Sequence, residues 1–359
     1  MSPTLAGVTS PALVCCGLAT LDVVQRVDHV PAPDEKLVAG GLDVTFGGPA
    51  ANAAATAVAL GAPAVLVTAL GSGPVARLVR DELAAAGVRV IDLAAGVPGD
   101  PPVSTVLITA ATGQRAVAST NATLRPDDLG PAAAQVVDVL DGAGAVLVDG
   151  HHLAAGLALA GAARRRGLVV LADAGSWKPG LERLLALVDV AICSADLVVP
   201  GDVMPGGVVP GGGVPSDVMP GGVVPGGVVP GGGVVSADVV SGGAVPRGAV
   251  PGSARLAASS SDELLAAVAA LGPSFVARSA GAGPVRVRLA SGVPDEVTPP
   301  AVPPAEVVDT LGAGDVLHGA AGAALARGLD PLSALREGVV LASRSVRHRG
   351  ALGWARTPR

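Results

Sequence analysis

Two kinds of hydrophobic pattern alternate along this chain. Short apolar runs with no polar face fall at residues 13–16, 64–69, 145–148, 168–172, 188–192 and 274–277. Between them lie Ala-, Leu- and Arg-rich stretches of helical character at 50–60, 75–86, 153–166, 181–187 and 262–271. A short strand without alternation is buried on both faces, as in a parallel sheet covered by helices. The pattern therefore predicts an α/β fold, a mostly parallel sheet with helices on both faces. Residues 22–46 and 103–119 follow another rule. Apolar and polar positions alternate there, as in Val103-Ser-Thr-Val-Leu-Ile-Thr109, which suits exposed antiparallel strands. They predict a small β-lid beside the main sheet, drawn from about 22–46 and 98–121.

The pattern stops between 199 and 251, where the chain is almost entirely Val, Pro and Gly. The eleven residues from Asp202 recur unchanged from Asp217. Pro-Gly pairs favour turns, and Pro blocks helices and central strands. This segment reads as a disordered low-complexity insertion in one domain spanning 1–359. It is either an elastic or interaction element or a tolerated surface loop, and long loops close cheaply.

Charge removes several functions. Lys and Arg total 24 against 30 Asp and Glu, a net charge of −6. The aromatic residues are Phe46, Trp177, Phe275 and Trp354, with no Tyr. Such a chain has neither the basic footprint nor the stacking platform of a nucleic-acid binder. Cys15, Cys16 and Cys193 make no disulfide framework and have no zinc spacing, so the expected location is the cytoplasm. The apolar stretch 12–19 is too short to span a bilayer, and no targeting segment or membrane helix is expected.

The chemistry concentrates at Val308-Asp-Thr-Leu-Gly312-Ala313-Gly314-Asp315, ahead of a helix over 316–327. Small residues let the amides of Gly312, Ala313 and Gly314 converge at a helix N-terminus, an anion site suited to phosphate. Asp315 beside it can accept a proton from an attacking hydroxyl. Phosphoryl transfer needs both parts.

Asp-Thr-Leu-Gly-Ala-Gly-Asp resembles the C-terminal signature of the ribokinase-like (PfkB) carbohydrate kinases. Gly47-Gly48-Pro-Ala-Ala-Asn52 is similar to that family's GGxxxN element, and Gly17 to Asp22 to its GxxxxD. The stretch 149–194 resembles the ketohexokinase branch more than ribokinase itself. The resemblance implies a ribokinase-like α/β fold and ATP-dependent phosphorylation of a sugar hydroxyl, a ketose or pentose being preferred, with Mg2+. It implies Asp315 as general base and the 312–314 amides as anion hole. Asp22, Gly47, Gly48, Asn52 and His151 would contact the sugar. Lys178, Ser194, Arg278, Gly281 and Gly283 would lie on the nucleotide side. Asp309 would help hold a monovalent cation, K+, and the lid would serve a homodimer. Two elements depart from the family: Ser194-Ala-Asp196-Leu197 replaces NxxE, and Ala277-Arg278-Ser279 replaces Thr-x-Gly.

Plainer readings stand beside these. Asp22 and Gly47-Gly48 could form turns, and Asn52 could be a helix cap. His151, His152 and Lys178 could be solvated loop residues. Two rival functions also stand. The altered elements suit a degenerate kinase fold kept for binding or regulation. Gly71-Ser-Gly73-Pro-Val-Ala76 with Asp92 matches a dinucleotide fingerprint, which suits an NAD(P)-dependent oxidoreductase. A P-loop is excluded, because neither Lys36 nor Lys178 precedes Ser or Thr.

Overall fold

A computed structural model of the chain describes residues 10–120, 129–201, 260–292 and 294–355. Backbone contacts divide the chain into one unit of 1–199 with 258–359 and another of 200–257. Nearly all of the Val/Pro/Gly stretch lies outside the described residues.

The first unit begins β1 (Ala12–Cys16), β2 (Thr20–Val27), β3 (Gly41–Gly47), α1 (Pro49–Ala59), β4 (Ala64–Thr68), α2 (Pro74–Ala85) and β5 (Arg89–Asp92). It continues with β6 (Val103–Thr109), β7 (Arg115–Ser119), α3 (Gly130–Ala134), β8 (Ala143–Val148), α4 (Leu153–Arg165), β9 (Val169–Ala174), α5 (Leu181–Leu185) and β10 (Val190–Cys193). It ends with α6 (Ser261–Ala270), β11 (Phe275–Ala280), β12 (Gly283–Leu289), β13 (Pro294–Val297), α7 (Ala313–Ala326) and α8 (Pro331–Ser345).

Among the described residues, nine strands form one sheet in the order β13-β12-β11-β10-β9-β8-β1-β4-β5. From β5 to β11 every neighbouring pair is parallel, and β12 and β13 add an antiparallel edge. The apolar runs fall on the parallel strands because both faces are covered. β1 and β4 are buried at every position. Leu13, Cys15 and Leu66 pack with alanines of α1 and α7 and with Leu335 and Val339 of α8. Val14, Cys16, Val65 and Val67 point the other way along the pleat and are buried too. On that basis helices cover both faces, as expected.

A second sheet runs β3-β2-β6-β7. One expectation fails in it. The two hairpins are antiparallel, but β2 and β6 pair in parallel. The reason is topological: the chain passes through the β4-α2-β5 unit between the hairpins. Parallel neighbours need such a crossover.

The crossing of α1 and α7 sets the distance scale of the site. A Cβ on Gly319 would lie 2.5 Å from the Ala53 carbonyl oxygen, and one on Gly322 would lie 2.9 Å from Leu13. Glycine thus lets α7 approach α1 at Gly319 and β1 at Gly322, with Asn52 of α1 bonded to Asp315 of α7. In the main sheet the chain order reverses between β1 and β8. Ligands of open α/β sheets bind outside the strand C-termini at such a switch point.

Candidate active site

The two strands at the switch point are clasped together. After β8, Asp149 accepts the Leu18 N–H at 2.8 Å and the His151 N–H at 2.9 Å. A Cβ on Gly17 would overlap this carboxylate, so glycine is required after β1. Lys178 donates to the Asp149 carbonyl at 3.3 Å and to Ser176. The His151 imidazole is pushed down to about 4, chiefly by burial and against the pull of Asp149. It is therefore neutral, able to share hydrogen bonds with an uncharged hydroxyl.

Asp22, on β2, accepts from the Thr20 hydroxyl at 2.7 Å. Gly47 is the register partner of Thr20, diagonal to Asp22, and a Cβ there would fill the space the Asp22 carboxylate occupies. Gly48 has φ 96° and lies against the Leu18 carbonyl, so the glycine pair is more than an ordinary turn. Burial pushes the Asp22 carboxyl up, with the Thr20 and Ser104 hydroxyls opposing. Asn52 is not a cap. It lies inside the first turn of α1, and its Nδ2 donates to Asp315 Oδ2 at 2.7 Å. Asp22 and Asn52 line a cleft of about 940 Å³, along with Val24, Arg26, Leu311 and Gly350.

The Asp-Thr-Leu-Gly-Ala-Gly-Asp loop is held at both ends. Asp309 accepts the Leu311 N–H at 2.9 Å and the Gly350 N–H at 3.0 Å. Gly312 has φ 73° and is the N-cap of α7, which begins at Ala313, three residues before the expected start. No side chain caps this end, whereas Ser260 and Asp330 cap α6 and α8. First-turn amides have no acceptor within their own helix. A Cβ on Gly314 would point into open space, so an anion can approach. Asp315 is the third residue of this helix. Its carboxyl is pushed up to about 7, mainly by burial and then by Asp173, against Asn52 and His318. The lid rests on the same loop. Arg115 of β7 donates to the Thr310 carbonyl at 3.3 Å, and Leu311 packs on Val24, Val106 and Ile108.

Ser194 and Arg278 meet at the ends of β10 and β11. The Ser194 hydroxyl accepts the Asp196 N–H at 3.1 Å. Arg278 donates to the Ala195 carbonyl at 2.8 Å and to Ser261 at 3.2 Å. Gly281, with φ 60°, and Gly283 belong to the β11–β12 turn. Lys178 is tied to the β8 end instead. Sequence reasoning missed His318, one turn beyond Asp315, whose only local signal is a polar side chain on an apolar buried helix face.

The dinucleotide reading is overturned. Asp92, which would bind a ribose, already accepts the Leu70, Gly71 and Ala94 amides and pairs with Arg80 at 2.8 Å. Asp100 accepts the Ala76 N–H at 3.0 Å at the start of α2. The chain fills that anion site itself.

Solved structures share this fold. A microbiome-derived acarbose kinase superposes with a TM-score of 0.68 at 20% identity, covering 94% of this chain and 93% of its own. Ribokinase from Giardia lamblia gives 0.66 at 15%, covering 98% of each chain. Arabidopsis thaliana ribokinase, complexed with ribose and ATP, gives 0.61 at 19%, covering 98% of this chain and all of its own. The fold is that of the ribokinase-like kinases. Residues 10–196 and 253–357 match the pfkB family carbohydrate kinase description, so the chain belongs to that family and is a carbohydrate kinase. The match leaves out 197–252. No helix among the described residues is long and apolar enough to cross a membrane.

Proposed function

We propose that this kinase transfers the γ-phosphoryl group of ATP to a hydroxyl of a small sugar, a ketose or pentose. The observation that carries the reading is the 2.7 Å bond from Asn52 to Asp315 beside an uncapped helix N-terminus. It joins a sugar-type element to a phosphoryl-type element across 263 residues. Asp22 and Asn52, which line the cleft, orient the sugar together with the Gly47-Gly48 turn and with His151 at the β8 end. Asp315 takes the hydroxyl proton as the new oxygen–phosphorus bond forms and the bond from the γ-phosphorus to the β,γ-bridging oxygen breaks, releasing ADP. The amides of Gly312, Ala313 and Gly314 hold charge on the transferring group. Ser194, Arg278, Gly281 and Gly283 shape the nucleotide side, and Lys178, held by the Asp149 carbonyl and Ser176, would have to leave those partners to contact a phosphate.

Among the described residues, no group of three His, Cys, Asp or Glu side chains could hold a metal. Mg2+ would be carried by the phosphates and water, and would supply charge neutralisation there. A K+ ion beside Asp309 belongs to the same reading, although both Asp309 oxygens already accept an amide. A ketose is supported by the likeness of 149–194 to the ketohexokinase branch. A pentose is supported by the ribose of the Arabidopsis relative. Exposed Val117 on β7 supports a homodimer through the lid. Buried free thiols suit a reducing cytoplasm.

ADP release with MgATP across ketoses, aldopentoses, sugar phosphates and nucleosides tests the reading. One class should turn over, and Asp315→Asn should lose about 10²–10⁴-fold in rate while staying folded. Turnover retained within tenfold in that variant would remove Asp315 as the base. No turnover of any compound would favour a binding role.

A further inference from the structure

His318 has no part in the roles above, yet it is among the most enclosed polar groups of the site. It is 6% exposed, on a helix face otherwise built from Ala, Gly, Val and Leu. Its Nδ1 lies 2.7 Å from the carbonyl oxygen of Gly314, a residue of the anion cradle. Its Nε2 lies 3.1 Å from the carbonyl oxygen of Ile192. Nδ1 is also 3.4 Å from Asp173 Oδ2. Ile192 and Asp173 are register partners on β10 and β9, so one ring spans two strand ends and the first turn of α7. Both carbonyls are acceptors. A neutral imidazole carries one N–H, which would leave its other nitrogen presenting a lone pair to an oxygen. An imidazolium donates from both nitrogens, and the buried Asp173 carboxylate supplies the counter-charge.

We propose that His318 is a positioning residue: its imidazolium pins the start of α7 and stands electrostatically between the carboxylates of Asp173 and Asp315. The proposal rests on Asp315 being the base. Two carboxylates in one enclosed site oppose each other's ionisation. Burial raises Asp173, and His318 is the largest influence against it. Asp173 in turn raises Asp315, and His318 again opposes. The other groups bearing on the pair are Asp22 from β2, Asp149 from the β8 end, Lys178 from beyond β9 and the neutral Asn52 from α1. Without the imidazolium, Lys178 remains against the rise at Asp173 and the Asn52 hydrogen bond against the rise at Asp315. Asp315 then holds its proton to higher pH and is a poorer acceptor at neutrality.

The test is a ¹³C-carboxyl NMR titration of Asp315, assigned with Asp315→Asn, in the parent, His318→Gln, Asp173→Asn and the double variant. It reads protonation without turnover, so a failure of the kinase reading leaves it interpretable. The Asp315 midpoint should rise by about one pH unit in His318→Gln and fall by a similar amount in Asp173→Asn. The double variant should return near the parent. Where a substrate turns over, the acid limb of kcat/KM should move with the midpoint. A midpoint unchanged or lowered in His318→Gln overturns the proposal. If that variant does not fold, the His318 ring ¹⁵N shifts of the parent decide. Two protonated nitrogens at about pH 7.5, where a free imidazole is neutral, support the proposal, and one overturns it.

Discussion

Asp315 binds its proton more tightly in the folded chain than out of it, because burial and Asp173 both penalise the charge. Its ordinary value is 3.8, and here it is about 7. The stabilisation that this proton brings is complete below about pH 4 and is lost as pH rises through 7. Asp315→Asn keeps an oxygen for the Asn52 N–H but has no charge to bury. At about pH 8 the variant should therefore be more stable than the parent, by roughly 1–3 kcal/mol after allowing for solvent around a half-buried group. Near pH 4 the two should unfold together. Thermal unfolding followed by circular dichroism at both pH values checks this, and an equal or lower Tm at pH 8 would count against a penalised carboxylate. At this scale the sequence showed which residue types matter. Asp22, Asn52 and Asp315 each stand in a short motif. The bond between Asn52 and Asp315 was not legible, because no local pattern records a contact across 263 residues. His318 was missed for a related reason: its partners lie on β9 and β10, and a lone His in an alanine-rich helix reads as core.

The α1–α7 crossing decides whether those residues meet. Gly319 has no room for a methyl group: its Cβ would lie 2.5 Å from the Ala53 carbonyl oxygen and 2.8 Å from the Thr56 side chain. The nearest of these is backbone, which cannot swing aside. Gly319→Ala should cost about 1–3 kcal/mol of stability through overpacking. It should also part Asn52 from Asp315, so the remaining folded enzyme turns over more slowly. Gly161→Ala on α4 is the control. Its Cβ would meet only the tip of Arg165 at 3.5 Å, and the change should be neutral or stabilising by up to about 1 kcal/mol. Melting curves and kcat for both variants separate close packing from a general effect of alanine. The elements themselves were largely legible. Strands buried on both faces have no polar positions, and that signal survives in a single sequence. β12 was not anticipated, because Val285, Arg286, Val287 and Arg288 alternate between a buried and a more exposed face and make no unbroken apolar run. The parallel pairing of β2 with β6 was hidden too, since alternation reports exposure and says nothing of strand direction.

For the whole molecule, the open question is what the Val/Pro/Gly stretch contributes. The family match resumes at 253, and the contact division falls at 200 and 257. Composition alone put the start at Val199. However, Leu197 and Val199 are buried in the first unit, so the packed chain runs slightly past the change in composition. A deletion should therefore begin after Gly201. Replacing 202–257 with a short Gly-Ser linker shortens the connection between the described residues 201 and 260 without removing any described packing. Loop closure depends only on the logarithm of length, so the change should be neutral or stabilising by about 2 kcal/mol or less. The segment follows Ser194 closely in sequence, and Ser194 belongs to the nucleotide-side candidates. Two outcomes therefore carry different meanings. If kcat/KM for ATP and sugar stays within about threefold and Tm does not fall, the 303 residues outside 202–257 hold the whole catalytic apparatus and the repeat is a tolerated insertion. If the fold persists but KM for ATP alone rises, the repeat contributes to nucleotide binding. In that case the Ser194–Leu197 departure from the family pattern is offset from within the insertion.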